Sequence, residues 1–200
     1  MAKRLPKSFY DRDTVTVARE LLGKCLVRRQ GGRRLVGVVT EAEAYCGPND
    51  RACHASKGRT ARTEVMFGPP GHWYVYLIYG MHHCLNIVTE GVGSGSAVLI
   101  RGVDPLGGFA EPPPSADGPG KLCRAFGIDK SFYGARAYGR NAPLWFEDHG
   151  ICAPEQAVQI TKRIGVDYAG ACAARPWRFV AVPSSLAYPP RLAPDSRQPG

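Results

Sequence analysis

Leu35-Val36-Gly37-Val38-Val39-Thr40-Glu41-Ala42-Glu43-Ala44-Tyr45 is a branched, apolar run set off by the turn-prone Gln30-Gly31-Gly32. Cys25 to Arg28 lies on the other side of that turn, so the two segments predict an antiparallel strand pair. Side chains alternate across a strand, which puts Glu41, Glu43 and Tyr45 on one face and Ala42 and Ala44 on the other. On composition alone, two carboxylates beside an aromatic ring are an ordinary solvated edge.

Upstream, Val15, Ala18, Leu21 and Leu22 recur at helical spacing and Gly23 supplies a stop, predicting a helix over residues 13–22. Downstream, residues 46–71 set Gly47-Pro48-Asn49-Asp50 and Phe67-Gly68-Pro69-Pro70-Gly71 around the basic Lys57, Arg59 and Arg62, and read as loop. Trp73 to Ile78 and Cys84 to Val88 read as strands joined by a hairpin tip at Tyr79-Gly80-Met81. Ala97 to Arg101 adds a short strand. The stretch from Gly102 to Gly120, rich in proline and glycine, reads as a surface loop. A short helix is expected from Gly120, with Leu122, Ala125 and Phe126 sharing a face. The amides of Gly118 to Lys121 either hold a phosphate there or form an ordinary loop-to-helix joint.

Trp145-Phe146, Ala157 to Thr161 and Phe179 to Val182 complete the apolar runs. More strand than helix, with no βαβ rhythm, predicts an α+β fold: one compact domain built on a mainly antiparallel curved sheet, with peripheral helices and a protruding β-hairpin. The domain is expected over residues 1–182. Residues 183–200, with Pro189, Pro190, Pro194 and Pro199, are expected to form a disordered tail.

A chain of 200 residues suits one sizeable core. Its 26 Lys and Arg against 17 Asp and Glu leave a net charge of +9, which favours an anionic partner such as nucleic acid or an acidic membrane surface. No apolar stretch is long enough to span a bilayer, no basic amphipathic helix stands out, and Met1 to Tyr10 lacks a signal-peptide run, so the membrane is the weaker choice. Seven scattered cysteines without a CxxC pair argue against a disulfide framework or a zinc site and fit a reducing cytoplasm. His72, His82, His83 and His149 show no metal-ligand spacing, and neither metal nor cofactor is expected.

On the second strand pair Tyr74 and Tyr76 share a face, and Tyr79 sits at the tip beside Gly80. Tyrosines fill many cores, but burial does not explain a large aromatic on an exposed tip. With the positive charge, such a hairpin suggests a wedge that enters a base stack, and stacked rings suggest a pocket for a flat base.

Glu41 to Tyr45, Gly47-Pro48, Asp50, His54, Met66-Phe67, Tyr74 to Met81, Cys84 to Ile87, Leu99-Ile100-Arg101, Gly118 to Leu122, Arg163 to Ala169 and Pro176 to Phe179 together resemble the alkyladenine (3-methyladenine) DNA glycosylase family, in order from about Leu5 to Val182. The resemblance implies an enzyme that flips alkylated, and also deaminated, purines out of duplex DNA and hydrolyses the N-glycosidic bond. It implies Glu43 as general base and Arg101 as a holder of the water. Tyr45, His54 and Tyr76 become the base pocket, Asn86 the group that crowds the purine 2-amino position, and Tyr79 the intercalating wedge. The implied enzyme works as a cytoplasmic monomer, nucleoid-associated in a bacterium, on double-stranded DNA containing damaged purines.

The chemistry asks for these residue types. Breaking the bond builds oxocarbenium-like charge on the sugar, which a carboxylate stabilises while it orients or deprotonates the water. A cationic lesion such as 3-methyladenine is suited to the electron-rich faces of Tyr45 and Tyr76. Glu41 is the fallback acid. His82 and His83 stand where relatives often carry aromatics, which leaves lesion range open, and the chain beyond Pro183 matches nothing. Two other readings stay in play: a non-catalytic nucleic-acid-binding module with an aromatic hairpin, and a lyase, for which Lys57 is the one lysine in the pocket segments.

Overall fold

Asp13 starts the first full helix by accepting the Thr16 N–H at 2.8 Å, satisfying an amide that a first turn leaves without an intrahelical partner. In the computed structural model, which describes residues 2–189, β1 (Lys3–Arg4) and α1 (Lys7–Tyr10) precede this α2 (Thr14–Glu20). Val17, Ala18 and Leu21 are fully buried on its inner side. Gly23 ends the segment at φ +81°, where a Cβ would also stand 2.7 Å from the Ile151 carbonyl oxygen.

The first strand pair forms as β2 (Cys25–Gln30) and β3 (Arg33–Tyr45), antiparallel across the Gly31-Gly32 turn. Next come the hairpin β4 (Trp73–Ile78) and β5 (His82–Thr89), then β6 (Ser96–Gly107) and α3 (Pro119–Ala125). β7 (Leu144–Asp148), β8 (Val158–Thr161) and β9 (Arg178–Ala181) complete a nine-stranded antiparallel sheet in the order β1-β7-β2-β3-β6-β5-β4, with β9 on β3 and β8 on β9. The chain is therefore α+β, as its strand-rich pattern predicts.

Three segments depart from expectation. β6 does not stop at Arg101: it runs to Gly107 through residues that read as loop, because β3 is long enough to template the extra rungs as far as Val36. Glycine weakens a strand locally, yet here it permits close approach: a Cβ on Gly102 would meet Thr40 Oγ1 at 2.9 Å. The expected 46–71 loop contains 3-10 turns at His54–Lys57 and Glu64–Phe67, whose Ala55, Met66 and Phe67 are buried. The expected tail is placed as far as Pro189: Leu186 is buried and Ala187 exchanges backbone bonds with Cys152 at 2.8 and 3.0 Å. One apolar anchor and two ladder bonds outweigh the local proline there. Residues 190–200 of that tail lie outside the described residues.

The sheet is covered on both faces where the site forms. Trp73 and Val75 enter the main core with Trp145, Phe146 and α2, and the Trp73 indole donates to the Leu144 carbonyl at 3.1 Å. Tyr74 points oppositely into a second cluster with Cys53, Met66, Phe67 and Val88, against which Tyr45 and Tyr76 rest. The β3–β6 register slips three times, leaving Leu106, Thr40 and then Arg101 without a partner opposite. Such bulges re-aim side chains, and this one turns Arg101 toward the carboxylates of β3.

Candidate active site

Glu43 is the most enclosed acid of the site, with none of its side chain exposed. Its Oε1 accepts the backbone N–H of Ile164 at 2.8 Å and lies 3.4 Å from Arg101 Nε, and its Oε2 accepts the Tyr45 hydroxyl at 2.8 Å. Burial raises its pKa, opposed by Arg101, the Ile164 amide and the Tyr45 hydroxyl, while neighbouring Glu41 raises it further. A solvated edge is thus the wrong description of Glu43. The segment that carries Ile164 closes over the strand and seals it.

Glu41 shares the face but not the setting. Its Oε1 accepts from Arg101 Nε at 2.7 Å and from Arg178 Nε at 2.6 Å, and Arg178 also donates to Thr161 Oγ1 at 3.1 Å. A carboxylate held by two guanidinium groups is poorly placed to take a proton. Its geometry suits orientation of Arg101.

In front of Glu43 lies a cavity of about 390 Å³, lined by Tyr45, His54, Tyr74, Tyr76, Asn86, Arg101 and Ile164 among others. Its size falls in the range of small-molecule sites, and its walls mix tyrosines and aliphatic side chains with the polar His54, Arg62, Asn86 and Arg101. Glu43 itself stands behind Tyr45, Arg101 and Ile164 rather than on the wall. A larger hollow of about 550 Å³ shares Arg62 and Tyr76, but Tyr45, Arg101 and Ile164, the residues that contact Glu43, line only the first, so the chemistry belongs there.

His54 Nδ1 is 2.8 Å from the Tyr74 hydroxyl, and its ring meets Tyr76 edge-on at 4.7 Å. Burial lowers its pKa to about 4, helped by Arg62 and Lys57, so His54 is neutral at neutral pH. Asn86 is buried opposite Tyr74 and commits its amide nitrogen to the Tyr74 carbonyl at 3.0 Å while still lining the cavity. It is thus a strand asparagine with a backbone bond that also forms part of the cavity wall.

Tyr79 stands at the cavity mouth, 84% exposed at φ +51° in a turn closed by Met81 N–H to the Ile78 carbonyl at 3.1 Å. Met81 beside it is also exposed. Positive φ is uncommon for a bulky residue, and here it belongs to the tight hairpin turn, where Gly80 is also at φ +69°. The structure thus gathers Tyr45, His54, Tyr76, Asn86 and Arg101 around one cavity, puts Glu43 behind it and Tyr79 at its rim.

Sequence reasoning missed several contributors. The Ile164 amide carries no side-chain signal at all. Arg163 and Asp50 form a fully buried ion pair, and Arg163 lies 4.8 Å over the Tyr45 ring. Arg62 lies 4.8 Å over Tyr76. Each ring expected to stack on a base therefore already has a guanidinium on one face. Among the described residues, no group of three His, Cys, Asp or Glu side chains converges as a metal site, and no helix is long and apolar enough to cross a membrane.

A family model described as methylpurine-DNA glycosylase matches residues 8–184. A Myxococcus xanthus relative provisionally named a 3-methyladenine DNA glycosylase is 54% identical over 178 residues, covering 88% of each chain. Relatives given the same name in Methanocella arvoryzae and Legionella pneumophila are 50% and 46% identical over 185 and 171 residues, covering 88% and 84% of this chain and 90% and 88% of theirs. With the match spanning nearly the whole described fold, the chain belongs to the methylpurine-DNA glycosylase family, enzymes that hydrolyse N-glycosyl bonds in DNA.

Proposed function

We propose that this glycosylase flips alkylated purines, and also deaminated ones, from duplex DNA into the 390 Å³ cavity and releases them with a water activated by Glu43. The observation that carries this reading is the enclosed carboxylate beside Arg101, directly behind an aromatic cavity. In the reaction the water oxygen bonds to C1′ of the sugar as the C1′–N9 bond breaks, its electron pair leaves with the purine, and a water proton passes to Glu43. Arg101 fixes the carboxylate and the water, and the negative charge of Glu43 offsets the developing sugar cation. An alkylated, cationic purine leaves readily, which suits a site with no second free acid.

Cation–π attraction alone is a weaker account of lesion choice, since Arg62 and Arg163 already occupy ring faces and would repel a cationic base. Shape, Asn86 and leaving-group ability carry more of the discrimination in this reading. Lysine is absent from the cavity lining among the described residues, and Lys57 lines a neighbouring groove, which favours hydrolysis over lyase chemistry. The test is a duplex oligonucleotide with one 7-methylguanine: abasic sites that nick only after hot alkali support the reading. Nicking before alkali would indicate a lyase, and no abasic site would leave a binding module.

The single-turnover rate on that duplex should be flat above the raised pKa of Glu43 and fall tenfold per unit as pH drops below it, because only the ionised form accepts a proton. With His54 neutral above about 4, it adds no second step near neutrality. An acid limb that persisted in Glu43→Gln would assign the titration to another group.

DNA affinity should fall with salt with a log–log slope of about −3 to −6, corresponding to roughly three to six phosphate contacts by a monomer. Chelation with EDTA should leave binding and turnover unchanged. A flat salt response, or activity rescued by added metal, would contradict this mechanism.

A further inference from the structure

Asp50 and Arg163 are both fully buried, and neither has a place in the reaction as written above. Arg163 Nη1 donates to Asp50 Oδ2 at 2.5 Å and to the Ala44 carbonyl at 2.8 Å; Nη2 donates to Asp50 Oδ1 at 2.9 Å and to the Cys172 carbonyl at 3.0 Å. Asp50 also accepts the Cys46 and Ala52 N–H groups, each at 3.2 Å. The pair thereby fastens three pieces together: β3 at the residue between Glu43 and Tyr45, the loop leading to His54, and the segment from Arg163 to Cys172. The residue after Arg163 is Ile164, whose N–H is the one backbone donor to the Glu43 carboxylate among the described residues.

We infer that the Asp50–Arg163 pair is a positioning device for the reaction: it holds the Ile164 amide against Glu43 and the Tyr45 ring beside it, keeping the carboxylate ionised. The inference rests on the reading of Glu43 as the base. Desolvating two charges is costly, and a pair of this kind is a poor way merely to add stability, since well-packed apolar residues often do as well. A bidentate fork does fix direction, which an apolar contact does not. Here the fork lies 4.8 Å over Tyr45 and 5.1 Å over Trp177, so its plane is set from the ring side as well.

The charged and titratable groups that act on Glu43 come from each neighbouring element: Glu41 and Tyr45 on β3, Arg101 on β6, Cys84 on β5, and Arg163 with the Ile164 amide on the covering segment. Arg101 is anchored independently by Glu41. Loosening the Asp50–Arg163 pair therefore removes the Ile164 donor while leaving Arg101 in place, and the ionised form of Glu43 loses one charge-assisted hydrogen bond.

The experiment is a pH profile of single-turnover base release from a 7-methylguanine duplex, for the full chain and for Asp50→Asn and Arg163→Lys, with thermal unfolding recorded alongside. Asp50→Asn should move the acid limb upward by about one pH unit, the size expected from losing a hydrogen bond to a charged group, with a smaller loss on the plateau. Arg163→Lys keeps the buried charges balanced but loses the fork. It should shift the limb in the same direction and serves if Asp50→Asn does not fold. In a Glu43→Gln background the limb is absent, and adding Asp50→Asn should slow release no further. A folded Asp50→Asn or Arg163→Lys with lowered melting temperature and an unmoved limb would overturn the inference, reducing the pair to a structural staple. If Glu43→Gln itself retains the limb, the failure lies in the assignment of the base instead.

Discussion

Glu43→Gln slows base release from a 7-methylguanine duplex by about 10³-fold while binding to an abasic-site duplex stays within roughly threefold of the parent, the span that general-base catalysis commonly contributes. The substitution keeps the volume of the side chain and its bond to the Ile164 amide, since the Gln carbonyl also accepts. It removes the charge and the capacity to take a proton. Because Glu43 stands behind the wall formed by Tyr45, Arg101 and Ile164, DNA affinity has little reason to change. Rate measured under single turnover isolates the chemical step from product release.

Glu41→Gln makes the informative contrast. It weakens two arginine contacts rather than removing a proton acceptor, so its loss should be nearer tenfold and should come from a misplaced Arg101. If Glu41→Gln were the inactive variant and Glu43→Gln active, the strand register would stand but the wrong acid would have been chosen. Full activity in both would sink the carboxylate mechanism.

How much of this was legible beforehand follows the range of the physics involved. Strand alternation is local, and it correctly separated Tyr45 from Ala42 and Ala44 on β3 and Tyr74 with Tyr76 from Trp73 on β4, the tyrosines of both strands meeting on one side of the sheet. The same local view could not distinguish Glu43 from Glu41, because what separates them comes from afar: Ile164 closes over one, and Arg178 from β9 pairs with the other. Turn chemistry placed Tyr79 and Gly80 at the hairpin tip. Local propensity failed at Gly102–Gly107, where glycine and proline suggested loop and the long partner strand imposed pairing. It failed again at 183–189, where Leu186 finds a buried site. Asp50 and Arg163 belonged to the segments carrying the family resemblance, yet nothing in their local spacing says that they meet, and a backbone amide leaves no trace in composition.

Tyr79→Ala should slow release of a lesion held in a stable base pair by about 10- to 100-fold, and the same lesion in single-stranded DNA by less than about threefold. The difference arises because a ring that fills the vacated stack acts on the flipping equilibrium, where unstacking costs a few kcal/mol and base–aromatic stacking returns roughly 1–3 kcal/mol. Alanine takes over the backbone at φ +51° without relieving it, so the comparison tests the ring more than the turn. Tyr79→Phe keeps the stacking face and should retain most activity, because no hydrogen bond among the described residues engages the hydroxyl and the residue is 84% exposed. Met81 is exposed on the same tip and can fill part of the gap, which places the expected loss toward the lower end when Met81 is present and higher in a Tyr79→Ala, Met81→Ala double variant. A mismatched lesion, already partly unstacked, should fall between the paired and single-stranded cases. Equal losses on all three substrates would place Tyr79 in the base cavity, acting on bound base rather than on the duplex, and would remove the hairpin tip from the flipping step.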